Sequence, residues 1–176
     1  MTRNSMRGFT LIELLVVIVV LAILAVIAAP RFLNLQSDAR SSIVQGLSAA
    51  LRTGSDLVHA KAVIEGVDSG SDEIEIDGYL LSIRSGYPRV AANCERFTSD
   101  LRYWVDMQLK TTCSDTVQGE AEWYGEVSRN QFYFFPVGYD QLSQGCYIIY
   151  TTASERVNGE WSDADSASIE YDTSGC

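Results

Sequence analysis

Few residues in this chain of 176 have types and spacings that chemistry requires. The single histidine, His59, has no serine or cysteine at a spacing that suggests a nucleophile and its base, so it reads as a packing or surface side chain. Asp68-x-x-x-Asp72-Glu73 and Asp163-x-Asp165 offer the oxygen ligands that calcium takes. Neither follows the D-x-[DN]-x-[DN]-G loop pattern, and solvated loop charge is the plainer reading. The four cysteines, Cys94, Cys113, Cys146 and Cys176, include no C-x-x-C pair, and zinc is not expected. Their even count favours two disulfides, for which three pairings exist. Phe132, Tyr133, Phe134, Phe135, Tyr139 and Tyr147 offer rings that stack on sugar faces, although strand alternation would send most of them into a core. No nucleophile elbow, phosphate-cradling glycine loop or metal-binding histidine pair occurs, so neither enzymatic activity nor a cofactor is expected.

Glu13 is different. It is the one charge among the 21 residues from Phe9 to Ala29. As a helix this run measures about 32 Å, enough to cross a bilayer core. A carboxylate at membrane depth costs about 3 kcal/mol on insertion scales and usually marks function. Its place near the end of the run also allows it to snorkel to the surface. Arg3 and Arg7 precede the run and put that end in the cytoplasm, leaving the remainder on the periplasmic side. A secretory signal cut near Ala28-Ala29 fits the small residues there, but not Glu13 within the apolar run or Gly8 directly after Arg7.

The stretch Gly8-Phe9-Thr10-Leu11-Ile12-Glu13-Leu14 resembles the processing and methylation motif of type IV pilins and of type II secretion pseudopilins. The resemblance implies a prepilin peptidase that cleaves between Gly8 and Phe9 and methylates the new amino terminus of Phe9. It also implies that Glu13 pairs with the amino terminus of Phe9 in a neighbouring subunit. Two opposite charges in an apolar core offset each other's desolvation only when the subunits are in register. From Ala28 through Pro30 to Arg40 the chain resembles the mannose-sensitive haemagglutinin (MSHA) pilins of Gram-negative bacteria. In such pilins the segment before Pro30 can lose helicity on assembly. The implied life history is a single-pass inner-membrane precursor, then an extracellular filament. Its partners would be other pilin subunits, the prepilin peptidase, the assembly machinery and a host or abiotic surface. Disulfides Cys94–Cys113 and Cys146–Cys176 are the pairs this resemblance favours. Minor pilins and pseudopilins share the motif, and a membrane-anchored binding module that never polymerises is a further alternative.

The elements that must carry these residues follow from pattern. Residues 1–8 read as a cleaved basic leader, 9–30 as a transmembrane or filament-core helix, and 31–176 as a globular domain that includes the helix's amphipathic second half. Phe32, Leu35, Ala39, Ile43, Leu47, Ala50, Gly54, Leu57 and Lys61 recur at helical spacing, with Val44, Leu51 and Val58 widening the stripe. One helix from Phe9 to about Ala62 is expected, its first half apolar all round and its second half packed on a sheet. Glu73–Ile76, the turn Asp77-Gly78 and Tyr79–Ile83 read as a hairpin, and Ser85–Pro88 as a loop. Cys94–Leu109 has helical spacing. Trp123–Val127, Arg129–Phe135, Cys146–Thr152 and Ala167–Asp172 read as strands. The expected class is α+β, a long N-terminal helix against an antiparallel sheet. A formal net charge of −10 argues against nucleic acid as a partner, because phosphate binding needs Lys and Arg.

Overall fold

Between Leu11 and Glu65 the sequence holds only Pro30, Gly46 and Gly54 as weak helix formers, and all three lie within one helix, α1 (Leu11–Glu65). The computed structural model describes residues 9–91, 94–107, 109–111, 123–157 and 160–176. These fall into two compact units, one ending at Ala39 and the other running from Arg40 to Cys176. Helix α1 contributes to both. It stops at Gly66, whose φ of 73° suits the left-handed C-terminal position. There the Gly66 amide donates to Val63 O and the Val67 amide to Ala62 O, which closes the last turn.

In the first unit, the 18 residues Leu11–Ala28 are long and apolar enough to cross a membrane, and none is buried within the protein. In the second, α1 sends Val44, Leu47, Leu51, Val58 and Ala62 into the core. The buried stripe is rotated from the one expected: Ile43, Ala50 and Leu57 face outward, while Ser48, Ser55 and Ala62 join the buried Leu47 and Gly54. Gly54 stays on the buried side. An added Cβ there would run into the Trp104 carbonyl, so this is where α1 is approached most closely.

Strands β1 (Ser71–Ile76) and β2 (Tyr79–Arg84) form the expected hairpin around Asp77 and Gly78, both at positive φ. The expected loop at Ser85–Pro88 is instead a two-residue turn, Ser85-Gly86, that returns Tyr87–Pro88 as a short third strand, β3. Helix α2 runs only from Cys94 to Leu101, not to Leu109. Trp104 and Val105 still bond back to Leu101 O, but the chain then turns and Leu109–Thr111 becomes β4. Aromatic and β-branched residues such as Trp104 and Val105 keep the helical spacing while favouring extended backbone, so spacing alone could not fix the end.

A five-stranded sheet follows in the order β10-β7-β6-β5-β4. Its members are β5 (Trp123–Ser128), β6 (Gln131–Pro136), β7 (Tyr147–Thr151) and β10 (Ser168–Asp172), with β4. Arg129, expected to open a strand, sits at φ 58° in the turn between β5 and β6. The sheet is antiparallel except where β4 pairs parallel with β5. A hairpin of β8 (Ser154–Val157) and β9 (Glu160–Asp163) was not expected, although the dipeptide Asn158-Gly159 between them is a strong two-residue turn signal. The architecture is the α+β pilin-like one. Phe97, Trp104, Phe132 and Tyr150 meet at ring separations of 4.5–6.4 Å and tie α2 to β6 and β7.

Candidate functional site

Glu13 sits in the first turn of α1, where four backbone amides have no partner within the helix. Its Oε2 accepts from the Thr10 amide at 3.0 Å and from the Thr10 hydroxyl at 2.9 Å. The Glu13 amide in turn donates to Thr10 Oγ1 at 3.3 Å, and the Leu14 amide to Thr10 O at 3.3 Å. This is a reciprocal cap: threonine closes the third amide, and glutamate closes the amide of the threonine. The carboxylate also lies at the positive end of the helix dipole. Thr10 is the functional residue the motif reading passed over. Its signal was present, since T-x-x-E before an apolar run is a helix-start signature.

Phe9 precedes this cap and is 74% exposed. Gly8, the expected cleavage position, lies outside the described residues. Pro30 lies within α1, where it can donate no hydrogen bond to the preceding turn. The Glu13 carboxylate is thus held at the helix start by its own chain, one turn from Phe9.

Other candidates fall elsewhere. Cys146 is bonded to Cys176. Of the expected pair Cys94–Cys113, Cys94 opens α2 and Cys113 lies outside the described residues. Tyr139 reinforces the C-terminal closure: its hydroxyl reaches Gly175 O at 3.1 Å and Cys176 O at 3.0 Å, and Arg40 Nη1 lies 3.4 Å away. His59 stacks on Tyr87 with ring centroids 4.2 Å apart, and its Nδ1 is buried without a hydrogen-bond partner. Burial pushes the Tyr87 hydroxyl above its ordinary pKa. Asp68 lies after α1, Asp72 and Glu73 lie on β1, Asp163 ends β9 and Asp165 lies in the bend that follows. Among the described residues no group of three His, Cys, Asp or Glu side chains gathers to hold a metal. The six aromatics separate: Phe132 and Phe134 enter the core, while Tyr133, Phe135 and Tyr147 take the outer sheet face and Tyr139 holds the C-terminus.

An exposed apolar helix, capped at its start by Thr10 and Glu13 and followed by an α+β unit, is the layout of a membrane-anchored precursor of the pilin-like kind. The family model for the prokaryotic N-terminal methylation motif matches residues 3–29. That motif indicates a type IV pilin- or pseudopilin-like prepilin, handled by a prepilin peptidase and built for polymerisation. No curated protein and no solved structure matches the chain.

Proposed function

We propose that the chain is the structural subunit of an MSHA-like type IV pilus that mediates attachment to host or abiotic surfaces. Cleavage between Gly8 and Phe9 frees the amino terminus that becomes methylated, and the 9–30 segment moves from the inner membrane into the filament core. Glu13 then registers each subunit by pairing with the Phe9 amino terminus of its neighbour. The observation that carries this reading is the methylation motif set against an 18-residue apolar run with no burial of its own. Such a surface must be covered by lipid or by other copies, and burial at about 25 cal/mol per Å² would make the polymer very stable. The reciprocal cap bears on the registration step. It already supplies two donors to the Glu13 carboxylate, which lowers the cost of carrying that charge into an apolar core.

The test is immunogold electron microscopy of filaments sheared from native cells, with antibody against residues after Thr53. Label along the whole filament is the expected result. Label confined to tips points to a minor pilin, and unlabelled filaments with processed protein held in the membrane point to a pseudopilin or an anchored binding module. In the same cells, Glu13→Ala should leave leader cleavage intact but lower filament yield, and unchanged yield would remove the registering role.

A further inference from the structure

The outer face of the five-stranded sheet is aromatic in the middle and acidic at its margins. Register fixes two rows across it. In one, Tyr124 faces Phe135, the Phe135 ring lies 6.5 Å from Tyr147, and Tyr147 faces Asp172. In the other, Glu126 faces Tyr133, which faces Ile149, which faces Glu170. The rings of Tyr133 and Phe135 are within 10° of parallel, with centroids 6.5 Å apart. The Tyr133 hydroxyl donates to Gln131 Oε1 at 2.7 Å and holds its ring in place. Phe135, although on the outer side, is only 4% exposed. The segment from Asp140 to Ser143 forms a wall opposite it, and a groove of about 370 Å³ runs between wall and sheet.

Charge decides what fits this groove. Glu126 and Asp140 line it, and none of its lining residues is basic. The ion pairs Lys61–Glu65 and Arg96–Glu73 involve neither carboxylate. Lys110 stands opposite Tyr124 in register, in the other row, and is not among the lining residues. Ring faces are electron-rich, so the aromatic floor and the two carboxylates favour the same sign of ligand. An anion is repelled. A neutral apolar ligand would strip water from two carboxylates without compensation. A neutral saccharide can use the rings and the carboxylates, but gains nothing from the field of a chain with net charge −10.

We propose that this groove binds a small organic cation through its ammonium group, with Tyr133 as the cation–π surface and Glu126 and Asp140 as the counter-charges. This site is independent of the assembly reading, since it uses no residue of the apolar run. The probe is choline, titrated calorimetrically and by ligand-detected saturation-transfer NMR against the full chain in a maltoside detergent. Choline should bind at least about tenfold more tightly than 3,3-dimethylbutan-1-ol, which has the same shape and no charge. The double variant Glu126→Gln, Asp140→Asn should weaken choline by about tenfold and leave the neutral alcohol unaffected. Both positions are exposed, and an unchanged far-UV circular dichroism spectrum verifies the fold. Tyr133→Leu should also weaken choline. Equal binding of choline and the alcohol, undiminished binding to the double variant, or preferential binding of a neutral methyl glycoside would each overturn the proposal.

Discussion

Asp100 is a carboxylate in an unfavourable place. It is 1% exposed, its Oδ1 accepts from the Tyr79 hydroxyl at 2.7 Å, and its Oδ2 has no hydrogen-bond partner. Burial pushes its pKa up, against the smaller downward pulls of the Tyr79 hydrogen bond and of Arg96. The same hydrogen bond, with burial second, pushes Tyr79 up to about 12. An acid whose folded pKa is raised binds its proton more readily folded than unfolded. Stability is therefore highest below the unfolded carboxylate's pKa and falls as pH rises through that value towards the folded one. Asp100→Asn keeps an acceptor for Tyr79 and removes the buried charge. It should be more stable than the natural protein at pH 7, on the order of 1 kcal/mol, with the difference shrinking towards pH 4. Urea unfolding in detergent at both pH values measures this, and a constant difference would mean that Asp100 does not titrate in that range. Nothing in the sequence marked Asp100, which sits among helical residues like any surface acid. Glu13 was legible because an apolar run isolates it. Its cap with Thr10 was equally legible from T-x-x-E, but the methylation motif drew on the same residues.

Elements were most readable where one periodicity acted alone. The β1–β2 hairpin followed from alternation and Asp77-Gly78, because a two-residue turn with positive φ at both positions admits few sequences. The α1 stripe was read correctly as helical but displaced, because hydrophobicity cannot show which of two adjacent apolar rows the fold approaches. Gly54 belongs to both rows and marks a close approach. In an open helix, glycine to alanine gains up to about 1 kcal/mol. At Gly54 the new Cβ meets the Trp104 carbonyl, a backbone atom that cannot swing aside. Gly54→Ala should therefore cost about 1–3 kcal/mol. Gly46→Ala, on the same helix with open space around it, should be neutral or stabilising. Equal effects of the two in thermal unfolding would mean that helix propensity, not close approach, governs both. The end of α2 was not legible, since it depends on β4 pairing with β5 rather than on local pattern, whereas the β8–β9 hairpin had a local signal in Asn158-Gly159 that the reading passed over.

The whole molecule is shaped by a surface that the protein itself does not cover. Leu11–Ala28 contains fourteen Leu, Ile or Val residues and one charge, and none of the run is buried within the chain. On insertion scales each of those fourteen contributes about 0.3–0.6 kcal/mol at the membrane centre, so the run gains roughly 4–8 kcal/mol. One central aspartate costs about 2.5–3.5 kcal/mol and leaves a margin, whereas two cost about 5–7 kcal/mol and consume it. Val19→Asp should consequently leave most of the chain in the alkaline-carbonate-resistant membrane fraction. Val17→Asp combined with Leu21→Asp, four residues apart on one helix face, should move most of it to the extractable fraction. The steep step between one added charge and two is what distinguishes insertion from peripheral attachment. A chain lying on the membrane surface by a few side chains would respond gradually, or only to charges on the lipid-facing side. If the doubly substituted chain stayed in the membrane fraction, the apolar run would have to be covered by protein rather than by lipid, and assembly would no longer need to begin from an inserted precursor.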